Sequence, residues 1–230
     1  MKCEHKYAPQ ALSEVIFSNA ATETRINAYA SGGLSDSIIL WGPNGTGKST
    51  IARLLINEIG GVDGQRETKS YEELVNMNDL RGYLMQASSM ARFTTSGKYF
   101  LLLEEFDSET KKMEKLWTAM DACGESLMTI ITTNNLMKIH QSLRSRLTAI
   151  ELPALLPASV LNRAQHILKK EGIVLPNSQV QYYLQTMATP QDLRKYMKVL
   201  DQIIFLHNQC SALPRWQPPK PTKPKLCIVP

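Results

Sequence analysis

Two regimes of hydrophobic patterning meet near residue 153. From Ser37 to Pro153, short and nearly unbroken apolar runs alternate with longer stretches of helical period, the pattern of an α/β domain on a parallel sheet. Four runs read as strands: Ser37–Trp41, Tyr99–Leu103, Leu127–Thr132 and Ala149–Leu152. Such continuous runs suit strands buried on both faces, and ligands of these sheets bind beyond the carboxyl ends of the strands. Polar residues stand there: a glycine-rich loop after Trp41, Glu104 and Glu105 after Leu103, and Thr133-Asn134 after Thr132. Helices are expected over Lys48–Ile59, about Asp79–Met90 and about Glu109–Ala122. The stretch Gly60–Met77 is polar and weakly patterned, with room for a short strand near Arg66–Thr68.

After Pro153 the pattern is purely helical. Helices are expected over Pro157–Lys170, Ser178–Met187 and Pro190–Leu206, with Gly172 and Pro176 breaking the first from the second. From Ser211 onward six prolines accompany basic residues, which reads as an extended tail without regular structure. The expected organisation is an α/β domain over 1–152, a small three-helix lid domain over 153–209 and a flexible basic tail over 210–230.

Composition narrows the class. The 43% hydrophobic and 20% charged content is that of a globular protein and argues against disorder or a coiled coil. No apolar run approaches the roughly 20 residues a membrane span needs, and the N-terminus lacks a signal-peptide core, so a cytoplasmic protein with no membrane partner is expected. Cys3, Cys123, Cys210 and Cys227 form no metal-like spacing and read as free thiols. The formal charge is +5, yet Arg215, Lys220, Lys223 and Lys225 place nearly all of it in the tail.

The strongest chemical signal is Gly42-Pro43-Asn44-Gly45-Thr46-Gly47-Lys48-Ser49, set between a strand and a helix that continues through Thr50. In that context it reads as a Walker A loop, or P-loop. Its backbone N–H groups would cradle phosphates at a helix N-terminus, Lys48 would reach the outer phosphates, and the Ser49 hydroxyl would ligate Mg²⁺. Glu104 and Glu105 stand where phosphoryl transfer needs one acid for the metal and another for the attacking water, although a pair of acids at a strand end is also what a solvated loop carries. Asn134 would project an amide beside the γ-phosphate, but Asn134-Asn135 fits a turn or helix cap equally well. Arg144, Arg146 and Arg194 are residues of a kind usually solvated, and also of a kind that stabilises charge on a transferring phosphoryl group.

Several short motifs in the right order make the chain resemble AAA+ ATPases of the clamp-loader branch, over about Glu4 to Leu206. Lys6-Tyr7-Ala8-Pro9 followed by Leu12-Ser13-Glu14-Val15-Ile16 looks like that family's lead-in, whose usual form has Arg at the place of Ala8; the resemblance implies that Tyr7 and Pro9 lie against adenine. Leu103-Glu104-Glu105-Phe106-Asp107 resembles the Asp-Glu-x-Asp box, with Glu104 in place of the first Asp. The extra methylene carries the carboxylate about one bond further, a change that could weaken metal binding or slow turnover. Ile130 to Asn135 is similar to sensor 1, with Asn134 as the sensing amide. Ser145-Arg146-Leu147 is similar to the Ser-Arg-Cys motif, with Leu147 for Cys, which implies that Arg146 acts in trans on a neighbour's ATP. Gln191-Asp192-Leu193-Arg194 resembles the lid's Gly-Asp-x-Arg and makes Arg194 the sensor 2 candidate. The family's C-terminal collar, a further helical domain, has no counterpart in the resemblance.

The resemblance implies an α/β P-loop core with a helical lid, and an ATPase that uses ATP and Mg²⁺ at subunit interfaces of a ring or spiral. It also implies DNA as the object of assembly or remodelling, in a clamp loader-like or helicase loader-like factor of a phage, plasmid or mobile element. Arg81 falls where a DNA contact of the family lies, while by itself it reads as a solvent-facing arginine. The basic tail fits phosphate attraction, a protein partner or an unstructured end. The rival reading is an ATP-controlled switch that recruits a protein effector, as in a defence system. A small-molecule kinase leaves the arginine motifs unexplained, and no ABC-type signature follows the P-loop.

Overall fold

The computed structural model describes residues 2–106, 113–186 and 192–209. Asp107, the first residues of the helix expected from Glu109, Met187, Pro190 and Gln191, and the tail with Cys210 and Cys227 lie outside the described residues. Among the described residues no helix is long and apolar enough to cross a membrane.

Five parallel strands, β1 (Ile38–Trp41), β2 (Gln65–Lys69), β3 (Tyr99–Leu103), β4 (Leu127–Thr133) and β5 (Thr148–Glu151), form one sheet in the order β2-β3-β4-β1-β5. Side chains alternate between its faces. Ile39, Leu101, Leu103 and Ile131 enter one apolar cluster with α4 (Tyr71–Val75), α5 (Leu80–Ala91) and α6 (Met113–Cys123). Ile38, Leu40, Phe100, Leu102 and Ile130 enter the other, against α2 (Ala20–Ala30) and α3 (Lys48–Gly60). Covering both faces explains why β1, β3 and β4 read as unbroken apolar runs.

The edge strands depart from that expectation. β5 ends with Glu151 exposed and buries only Ile150 fully, while the polar β2 buries none of its residues fully. A strand paired on one side only, with one face partly open, has no need of a continuous apolar run. Among the helices that escaped the sequence reading are α2 and α4. In α2 only Thr22, Ile26 and Tyr29 are buried, a thin stripe with a polar member. α4 carries a signal that the reading passed over, a capping box: the Ser70 hydroxyl accepts from the Glu73 N–H while the Glu73 carboxylate accepts from the Ser70 N–H.

Beyond β5 come α8 (Pro157–Lys170), α9 (Asn177–Thr186) and α10 (Leu193–Asn208), following the single-turn α7 (Gln141–Arg144). Val160, Ala164, Ile167, Leu184, Tyr196 and Leu200 are among the residues of their shared core. The short N-terminal α1 (Cys3–Lys6) joins that core through Cys3, whose backbone N–H donates to the Asp201 carboxylate at 2.8 Å. Burial, with Asp201 alongside, pushes the Cys3 thiol up to about 12, so it stays a protonated apolar filler rather than a nucleophile. Lys6 and Tyr7 both donate to Glu171 Oε1 at 2.5 Å, at the end of α8. The chain's first residues are thus tied to helices more than 150 positions away.

Candidate active site

The parallel registers gather the polar strand ends. Trp41 lies opposite Thr133 and Leu103 opposite Ile131, so the glycine loop, the two glutamates and Asn134 all leave the sheet at one edge. Because β4 lies between β1 and β3, Asn134 emerges between the loop and the acids.

Gly42 sits at φ +146°, and a Cβ there would stand 2.3 Å from the Leu152 carbonyl oxygen. Only glycine allows the loop to leave β1 against β5 so closely. Gly45, at φ +76°, has no room either: a Cβ would lie 1.9 Å from Asp192 Oδ1. The N-terminus of α10 docks here, with the Leu193 N–H donating to the Gly45 carbonyl at 3.0 Å and Asp192 capping the helix through the Arg194 N–H at 2.9 Å. Gly45→Ala therefore has to displace the start of α10. We expect it to cost about 1–3 kcal/mol of stability and to weaken nucleotide binding roughly 10-fold or more. Thermal melting and titration with a fluorescent ATP analogue measure both, and wild-type values in each would remove the lid contact from the site.

Lys48 Nζ donates to the carbonyls of Gly42 at 2.8 Å and Pro43 at 2.7 Å, folded back over its own loop. Thr46 caps the loop from inside by donating to the Pro43 carbonyl at 3.1 Å. Glu105 has φ 52°, and among the described residues other than glycine no other has a positive φ. Its N–H donates to Thr132 Oγ1 at 3.1 Å, and the next N–H, of Phe106, donates to the Thr132 carbonyl at 2.8 Å. Phe106 is then anchored in the core, edge-on to Tyr71 at a centroid distance of 4.9 Å. A left-handed turn costs a side chain about 1–2 kcal/mol, and here it turns Glu105 out of the strand and into the cavity wall.

One cavity receives most of the residues that the sequence singled out. Asn44, Gly45, Thr46, Gly47, Lys48, Ser49 and Thr50 form its floor, Glu105 and Asn134 one side, Tyr7 and Pro9 another, and Arg194 the lid side. Gly42 and Pro43 shape the loop from outside the lining. Arg163 of α8 also lines the cavity and donates to the Tyr7 carbonyl at 3.1 Å. Sequence reasoning missed it, since one arginine on an amphipathic helix has the pattern of a solvated residue. Glu4 and Met197 join the lining as well; Glu4 pairs with Arg194 at 3.7 Å across exposed surface.

Two proposed residues stand apart. Glu104 Oε2 pairs with Arg53 at 2.7 Å, while Glu104 Oε1 is buried without a hydrogen-bond partner. A cation would satisfy such an orphaned oxygen, and with the Ser49 hydroxyl it makes a hard oxygen donor set of the kind Mg²⁺ takes together with water and phosphate. Arg146 lies outside the cavity of its own chain. Its guanidinium grips Asp121 of α6 through Nε at 2.8 Å and Nη2 at 2.9 Å, and Nη1 donates to the Ser142 carbonyl at 2.8 Å. The pairing holds the Asp121 carboxyl below the ordinary range and raises Arg146. Arg144 is half-buried near Met137, with its Nε buried and without a hydrogen-bond partner.

A parallel sheet whose first strand feeds a glycine loop and a helix, capped by a helical unit docked on that loop, is the build of a P-loop NTPase of the AAA+ type. Family comparison agrees and is more specific. The chain belongs to the ATPase family associated with various cellular activities, AAA, whose model matches residues 38–154. Among curated relatives, Replication factor C small subunit 2 of Pyrobaculum islandicum is 25% identical over 202 residues, covering 85% of this chain and 61% of that protein. The sliding-clamp-loader large subunit of Enterobacteria phage T4 is 29% identical over 212 residues, covering 86% and 63%. This chain thus spans about three fifths of the length of these relatives. Among solved structures, the Thermotoga maritima RuvB Holliday junction branch migration motor superposes with a TM-score of 0.67 at 16% identity, covering 89% of this chain and 67% of that one. The replication initiator DnaA bound to AMPPCP and single-stranded DNA gives 0.64 at 17%, covering 88% and 69%. Both show the shared fold.

Proposed function

We propose that this chain binds ATP with Mg²⁺ between sheet and lid and hydrolyses it at contacts between subunits, driving assembly or remodelling on DNA in the manner of a clamp loader. The observation that carries the reading is the convergence in one cavity of the glycine loop, Glu105, Asn134 and the α10 arginine. Lys48 and the loop N–H groups bind the phosphates, and Glu105 orients water. Asn134 and Arg194 report the γ-phosphate, and Tyr7 and Pro9 wall the base. Mg²⁺, held by Ser49 and supported by Glu104, would neutralise charge on the phosphate oxygens. Arg146, outside its own cavity and at the surface, serves the ATP of an adjoining subunit. The clamp-loader part rests on the names of the curated relatives, and a phage, plasmid or mobile-element source rests only on the phage relative among them.

The test is steady-state ATP hydrolysis by the purified chain, alone and with single-stranded, duplex and primer-template DNA at low and moderate salt. Stimulation by one DNA form that survives moderate salt is expected, because attraction to phosphates alone decays steeply with salt. Hydrolysis indifferent to every DNA overturns the DNA role and favours an ATP-controlled switch acting on a protein partner.

A further inference from the structure

We infer that Arg53 sets the magnesium demand of this site by competing with the metal for the carboxylate of Glu104. The inference rests on the placement of Mg²⁺ between Ser49 and Glu104. Arg53 follows Ser49 by one helical turn on the same face of α3, its Cα about 6 Å further from the loop along the axis. Its Nη2 holds Glu104 Oε2 at 2.7 Å with 62% of the arginine side chain exposed and only 20% of the glutamate's. The other oxygen, Oε1, is buried without a partner.

Chemistry gives the competition its sign. Glu104 is one methylene longer than the aspartate that the resemblance leads one to expect, and here it ends on a guanidinium. A guanidinium is always charged and cannot yield by losing a proton. To support a divalent cation, Glu104 has to share or surrender that partner, and the arginine's own charge repels the cation. Both effects point the same way: removing Arg53 strengthens metal binding. The exposure of Arg53 makes its replacement a local change rather than a disturbance of the core.

Binding of a fluorescent ATP analogue at graded Mg²⁺ concentrations tests this without reference to turnover. In Arg53→Gln the Mg²⁺ concentration for half-maximal binding is expected to fall about five-fold, the scale of one partly exposed ion pair. Arg53→Lys, which keeps the charge and loses the fork, falls by less. In a Glu104→Gln background the Arg53→Gln shift is expected to shrink to about two-fold or less, since no carboxylate remains to compete for and only the repulsion between the arginine and the cation is left. An unchanged or raised Mg²⁺ requirement in Arg53→Gln overturns the inference, as does a shift that persists undiminished in Glu104→Gln. If wild-type binding ignores Mg²⁺ and survives Lys48→Ala, the placement of the nucleotide site fails first and the inference falls with it. Mg²⁺-dependent wild-type binding with an unmoved Arg53→Gln leaves the site standing and removes only the role of Arg53.

Discussion

Replacing Arg146 by alanine is expected to lower ATP turnover in the assembled protein by roughly 10³-fold or more, the contribution of an arginine that stabilises a transferring phosphoryl group, while leaving nucleotide binding near wild type. The arginine lies outside its own cavity, and its guanidinium is oriented at the surface by Asp121 and the Ser142 carbonyl. Asp121 is 53% exposed and Arg146 35% exposed, so the pair itself adds little to stability and the variant should fold. A supplied arginine acts only when a second subunit arrives, which makes hydrolysis depend on assembly. Turnover per subunit, measured across protein concentrations with sedimentation to follow association, separates the two properties. Assemblies of Arg146→Ala that hydrolyse ATP normally would remove Arg146 from the neighbour's site.

Glu105→Gln is expected to slow hydrolysis by roughly 10²–10⁴-fold, the usual contribution of a positioned general base, with ATP retained in the cavity. The amide keeps the shape of the side chain but cannot draw a proton from water. Because Glu105 reaches the wall through a left-handed turn fixed by Thr132 and by buried Phe106, the backbone that aims it does not depend on the carboxylate. Single-turnover hydrolysis and recovery of unhydrolysed nucleotide give the comparison with wild type. Normal turnover in the purified variant would assign the water to another group and leave Glu105 as part of a solvated loop.

The residues of the glycine loop were legible because their chemistry is local. A loop that must accept positive φ at Gly42 and Gly45 and then present Lys48 and Ser49 at a helix N-terminus needs those residue types in consecutive order. Strands β3 and β4 were legible for a related reason, since burial on both faces demands uninterrupted apolar residues. The edge strand β2 and the helix α2 carry thin patterns because each buries little of itself. Arg163 gave no signal in sequence, since what sets it apart from other helical arginines is the Tyr7 carbonyl that the fold brings beside it.

By itself, then, the sequence determined the phosphate-binding loop, the alternation that builds a parallel α/β core and the change to helices after Pro153, all of which depend on neighbours within a few residues. Tertiary structure alone decided the strand order that inserts β4 between β1 and β3, the seating of Cys3 and Tyr7 on α10 and the end of α8, and the docking of Asp192 on Gly45. It also decided which partners the charged residues take, Arg53 for Glu104 and Asp121 for Arg146. Those choices are made between segments far apart in the chain, where the geometry of packing selects the contact and no local pattern in the residues encodes it.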